Sequence, residues 1–176
     1  LILPEAGAIT VQTVLSAGNG GAQFQIFGKA ANESEWALHA EGSVMQQEDT
    51  TTPVAGDLNR AEVQARCTER MDAGDYYAHL ATLGLEFGAS FKGLTQIWRR
   101  DGEALGLVEL PETLYQDRAH YRFHPALLDA CFHLLGAPLP AEHETSLLVG
   151  IDNLRIVQEP GARLWCHVQL RSGFEG

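Results

Sequence analysis

Hydrophobic and polar positions alternate over three early stretches of the chain. Ile9-Thr10-Val11-Gln12-Thr13-Val14-Leu15 and Gln23-Phe24-Gln25-Ile26-Phe27 alternate over most of their length, and Trp36, Leu38, Ala40, Gly42 and Val44 oppose His39, Glu41 and Ser43. A period of two marks strands, so residues 1–48 are expected to form a three-stranded antiparallel meander. The glycines of Ser16-Ala17-Gly18-Asn19-Gly20-Gly21 suit its first turn, because they accept positive φ. The pattern then lapses. Gln46 to Pro53 is polar and β-branched, no continuous apolar face returns before about Asp72, and residues 49–72 read as a linker.

Periodicity resumes with helical spacing. Tyr76, Leu80 and Leu83 share one stripe within Asp75–Gly84, with Asp75 as the expected N-cap. A glycine-punctuated loop, Gly84 to Gly93, leads to expected strands at 94–100 and 104–110, joined by a hairpin at Asp101-Gly102. Two more strands are expected over Ser146–Val157 and Arg163–Leu170. Between these strand regions stands His124-Pro125-Ala126-Leu127-Leu128-Asp129-Ala130-Cys131-Phe132-His133-Leu134-Leu135-Gly136, apolar on nearly every side. Pro125 suits the first helical position and Gly136 the far end, so the stretch predicts a helix inside a core.

Asp129 is the anomaly of that helix. A buried carboxylate needs a partner, or its pKa shifts upward and it holds its proton. A carboxylic acid kept protonated near neutral pH can act as a general acid. His133 lies four residues on and emerges on the same helix face. The residues alone leave a second reading open, in which Asp129 bonds a neighbouring backbone group and His133 is a hydrogen-bonded core histidine.

Composition narrows the field. At 176 residues and 45% hydrophobic content the chain can bury a real core. A net charge of −11, with 12 Lys plus Arg and one adjacent basic pair, Arg99-Arg100, argues against nucleic acid and anionic membranes as partners. Cys67, Cys131 and Cys166 are widely spaced and odd in number, which suggests neither a disulfide framework nor a zinc knuckle. No signal-peptide pattern is present and no apolar run approaches the ~20 residues that span a bilayer, so the expected compartment is cytoplasmic. Asn32-Glu33-Ser34 then reads as a turn rather than a glycosylation site. His120 and His124 stand four apart, but Pro125 disfavours helix at His124 and no third ligand is spaced to help, so no metal is expected. Ser90 misses a nucleophile elbow by one residue, and Tyr76 and Tyr77 read as helix-face packing.

With those motifs in hand, the chain resembles a known family. His124-Pro-Ala-Leu-Leu-Asp-Ala with His133, the loop Gly84-Leu-Glu-Phe-Gly-Ala-Ser-Phe-Lys-Gly, and Ser146-Leu-Leu-Val-Gly-Ile-Asp-Asn-Leu-Arg-Ile are similar, in order and spacing, to segments of dehydratase domains in modular type I polyketide synthases. The resemblance implies an α+β hotdog fold, an antiparallel sheet wrapped around a central helix, as part of a double hotdog. Residues 1–48 would be the last strands of a first hotdog and 73–176 most of a second, with both ends cut. The family's His-x-x-x-Gly-x-x-x-x-Pro motif, which carries its catalytic His, does not occur in these 176 residues.

The implied chemistry is elimination of water from a β-hydroxyacyl thioester on an acyl carrier protein. Asp129 would be the general acid and His133 would position it. Phe87, Gly88, Phe91 and Leu128 would line the substrate. No metal or nucleotide would bind; the substrate would arrive on phosphopantetheine. Neighbouring synthase domains are implied partners, and family dehydratases commonly form homodimers. Phe87 replaces the family's usual Tyr, Ala89 its Pro, and Leu148 stands where Pro is common. Two further readings are a non-catalytic hotdog piece that binds acyl chains or serves structure, and a hotdog thioesterase.

Overall fold

The alternating residues at the start of the chain form β1 (Ile9–Gly18), β2 (Gly21–Ala30) and β3 (Ala37–Met45), paired antiparallel in that order. The computed structural model describes residues 7–18, 20–31, 33–45, 59–140 and 147–171. Gly20, at φ +82°, turns β1 into β2, as the glycine-rich turn predicts. Phe24 lies opposite Gly42, and a Cβ on Gly42 would sit 2.8 Å from the phenyl ring. The aromatic ring thus covers the bare backbone of its neighbour. Asn19, Asn32, residues 46–48 of the expected meander, residues 49–58 of the expected linker and Ser146 lie outside the described residues.

The chain divides into two units, Leu1–Val54 and Ala55–Gly176. The second opens where a linker is expected, and there the structure corrects that expectation. Residues 60–66 form α1 (Arg60–Arg66), capped by the Asn59 side chain on Glu62 N–H, and β4 (Glu69–Met71) follows. The signal was weak because α1 is only seven residues long and buries a single apolar side chain, Val63.

Next comes α2 (Ala73–Thr82), whose N-cap is Asp72 rather than Asp75: the Asp72 carboxylate accepts the N–H groups of Gly74 and Asp75 at 2.8 and 3.1 Å. The helix therefore starts one turn earlier than its apolar stripe. Gly84 ends it at φ +85°. β5 (Leu94–Arg100) and β6 (Glu103–Glu109) form the expected hairpin, with Gly102 at φ +76° in the turn. After α3 (Pro125–His133) and a 3-10 turn at Leu134–Gly136, β7 (Arg163–Gln169) closes an antiparallel sheet ordered β4-β5-β6-β7. The strand expected over Ser146–Val157 is absent from residues 147–157, which form no strand among the described residues and leave Leu147, Val149 and Val157 exposed. Alternation selects the extended backbone; a strand also needs a neighbour to complete its ladder.

The two faces of this sheet carry different chemistry. On one, Leu94, Ile97, Ala104, Val108 and Val168 pack with α2 and α3 into the main core. On the other, Val63 and Cys67 from the α1 region pack against Leu105, flanked by Trp98 and Trp165. Glu103 lies beside that second cluster, 1% exposed, and its carboxylate is fully engaged. Arg66 Nε donates to both oxygens at 2.9 and 2.8 Å, Arg100 Nε donates at 2.8 Å, and Gln169 and His167 Nε2 lie at 3.2 and 2.7 Å. The Arg66 hydrogen bond above all, helped by His167 and Arg100, outweighs burial and holds the Glu103 carboxyl well below the usual carboxylate range. One buried charge thereby ties α1 to three strands.

Candidate active site

The central helix α3 begins where Pro125 predicts it. His124 is its N-cap, with Nδ1 accepting the Ala126 N–H at 3.2 Å. Ala126, Leu127 and Ala130, with Leu134 just beyond, bury one side of the helix in the main core. Two glycines let it come close. A Cβ on Gly93 would stand 2.8 Å from Ala130 Cβ, and one on Gly106 would stand 3.0 Å from both Leu134 methyls. This close seating fixes where the flank of α3, carrying Asp129 and His133, projects.

Asp129 and His133 meet as their spacing predicts, with Nε2 3.0 Å from Oδ2. The contact is bent: Nε2 has no aligned hydrogen-bond partner, so the attraction seen here is electrostatic rather than a well-formed hydrogen bond. Burial corrects the sequence expectation. The Asp129 side chain is 43% exposed and that of His133 only 6%. The expectation of a buried carboxylate fails because the core takes the Ala126-Leu127-Ala130 side of α3, and residue 129 falls on the flank. The buried titratable group is His133.

Two aromatic rings enclose that imidazole, and a third aromatic residue holds the His133 backbone. Phe87, from the loop after α2, lies with its ring centroid 3.9 Å from that of His133. Tyr77 approaches edge-on, its hydroxyl 3.2 Å from Nδ1 while accepting the Leu94 N–H at 3.1 Å. Tyr76 donates its hydroxyl to the His133 carbonyl at 2.7 Å. Burial lowers the His133 pKa from its ordinary value, and the Asp129 charge opposes this without cancelling it. Burial likewise pushes the Tyr77 phenol up to about 12, so it keeps its proton at neutral pH.

Of the six residues the resemblance points to, the structure joins three: Asp129, His133 and Phe87. Gly88 is exposed and caps a 3-10 turn over Ala89–Phe91 that lies alongside α3; Phe91 is 45% exposed and Leu128 half-buried. No hydrogen bond, ion pair or ring contact joins Gly88, Phe91 or Leu128 to the pair among the described residues. Tyr77 is the residue that sequence reasoning passed over. Its signal was present, since a buried tyrosine brings a hydroxyl that needs a partner.

The chain is similar to known proteins in sequence and in fold. The family model of the polyketide synthase dehydratase N-terminal domain matches residues 55–175. The chain is 35% identical over 147 residues to polyketide synthase GfsE of Streptomyces halstedii, covering 80% of this chain and 4% of that protein. Against mycoketide-CoA synthase of Mycobacterium tuberculosis the identity is 37% over 135 residues, 76% of this chain and 3% of the other. The dehydratase domains of the CurF and CurK modules of curacin polyketide synthase superpose with TM-scores of 0.86 and 0.85, each at 30% identity. They match 99% and 98% of this chain, which spans 62% and 61% of those structures. The fold is accordingly the α+β hotdog type of these dehydratases. No helix among the described residues is long and apolar enough to cross a membrane.

Proposed function

The chain belongs to the polyketide synthase dehydratase family, and on that premise we propose that it is part of a β-hydroxyacyl thioester dehydratase. The observation that carries this reading is the 3.0 Å approach of a buried, neutral-leaning His133 to a half-open Asp129 carboxyl on one helix flank. Asp129, protonated, gives its proton to the β-hydroxyl, which departs as water. The α-proton leaves to a base, and the electron pair of that C–H bond forms the α,β double bond. The sequence pattern of the family's base does not occur in these 176 residues, and in this proposal the chain supplies the acid half of the reaction. When Asp129 becomes a carboxylate, the His133 N–H beside Oδ2 favours the charge it has just acquired.

Exposure of Asp129 has a use in this scheme. A general acid must be reached by the group it protonates, and its positioner need not be. We place Phe87, Gly88, Phe91 and Leu128 along the acyl chain. The substrate is delivered on the phosphopantetheine arm of an acyl carrier protein, and neither metal nor nucleotide enters the reaction so proposed. Neighbouring synthase domains and a homodimeric partner belong to the same proposal. In the CurK dehydratase, an Asp→Asn and a His→Phe substitution each give an inactive mutant. The test is dehydration of a β-hydroxyacyl thioester by the chain extended upstream in its synthase, wild type against Asp129→Asn. Release of free acid and thiol instead would identify a thioesterase.

A further inference from the structure

We propose that Tyr77 is a positioning residue of this site, donating its hydroxyl proton to His133 Nδ1 and so fixing the imidazole in the tautomer that presents Nε2–H to Asp129. The argument runs from the backbone outward. The Leu94 N–H is an obligatory donor, and it points at the Tyr77 oxygen at 3.1 Å. With that lone pair occupied, the phenol's own proton needs an acceptor, and Nδ1 stands 3.2 Å away. A neutral imidazole that accepts at Nδ1 carries its proton on Nε2. Nε2 is the atom beside Oδ2 of Asp129.

The opposite tautomer is disfavoured at both ends. It would leave the phenol proton of Tyr77, 6% exposed, without the Nδ1 acceptor, and, whenever Asp129 has given up its proton, would turn the Nε2 lone pair on a carboxylate. Packing holds the ring in the same orientation, with Phe87 on its face and the Tyr76 hydroxyl on the His133 carbonyl. Adjacent tyrosines of α2 therefore grip one residue of α3, one by its backbone and one by its ring. The catalytic part of this inference rests on the dehydratase reading; the tautomer does not.

The experiment separates the two. Ring 15N chemical shifts of His133, assigned by comparison with His133→Gln, are measured in the full chain near pH 7.5 for wild type and Tyr77→Phe. The expected result is protonated Nε2 and bare Nδ1 in wild type, and a changed tautomer balance or a displaced Nδ1 shift in the variant, at unchanged far-UV circular dichroism. Unchanged ring shifts in Tyr77→Phe would overturn the proposal. Should Tyr77→Phe misfold, the wild-type spectrum decides alone, because a proton on Nδ1 contradicts it. In the upstream-extended dehydratase, Tyr77→Phe is expected to lower kcat about tenfold with KM little changed, the loss of one hydrogen bond acting through His133. If Asp129→Asn remains active there while the tautomer result holds, the dehydratase reading fails and the Tyr77 assignment stands; if Asp129→Asn is dead and Tyr77→Phe keeps full kcat, the positioning role fails.

Discussion

His133 Nε2 lies 3.0 Å from Asp129 Oδ2, one helical turn away on α3, yet the histidine side chain is 6% exposed and the aspartate 43%. The pair is thus divided between a fixed inner member and an accessible outer one. Burial lowers the pKa of His133, so the pH dependence of stability follows with a definite sign. Below the ordinary value of 6.5 the unfolded chain binds a proton that folded His133 resists, so stability falls with pH there and is fully present only above it. Asp129 on its own helix, Tyr76 and Tyr77 from α2, and Lys92, 5.9 Å from the Tyr77 ring, are polar and charged neighbours among the described residues. Urea unfolding of wild type and His133→Gln at pH 7.5 and 5.5 is expected to show the difference moving in the variant's favour at the lower pH.

Phe87 is the lid on that burial. Truncation to Ala exposes the imidazole face, and is expected to cost about 2 kcal/mol, less than a fully buried Phe because this ring is half-buried. It should also raise the His133 pKa toward 6.5, read by NMR titration of the ring protons. An unchanged titration would show that Phe87 does not shield His133.

Glu103 has a structural task on the opposite face of the sheet. Glu103→Gln is expected to destabilise the chain by about 2 kcal/mol near neutral pH, since charge-assisted bonds from Arg66, Arg100 and His167 are weakened while both arginines rehydrate. Because the folded carboxyl titrates below its ordinary 4.5, its contribution is complete above that pH and is lost as pH falls through the folded pKa. Denaturation midpoints should therefore converge in acid.

The seating of α3 depends on Gly106. Gly106→Val would drive a side chain into Leu94 and Leu134, at 2.9 and 3.0 Å from the Cβ alone, and is expected to cost about 1–3 kcal/mol by overpacking. Thermal unfolding measures the loss. The His133 ring signals should shift as well, because α3 moves with it.

Periodicity and punctuation made much of this fold legible. Pro125 marked the start of α3, Asp101-Gly102 the β5–β6 turn, and alternation the three N-terminal strands, all of them local effects. What stayed hidden depends on partners distant in sequence. Residues 147–157 carry the branched apolar side chains of a strand but pair with no neighbour among the described residues. The spacing of Asp129 and His133 foretold their contact but not which of them is buried, since that depends on the side of α3 that Gly93 and Gly106 admit. Tyr77 looked like packing because its partners, Leu94 and His133, lie 17 and 56 residues away.

The assignment of Asp129 as the acid of a dehydratase is tested most directly by one assay. The chain, extended upstream within its synthase, is given β-hydroxyacyl thioesters of several chain lengths, and enoyl thioester is measured by mass spectrometry. Asp129→Asn is expected to reduce its formation by about 10²–10⁴-fold, the usual worth of a general acid, without unfolding the protein. An extended wild type inert on every chain length, or an Asp129→Asn variant as active as wild type, would contradict it.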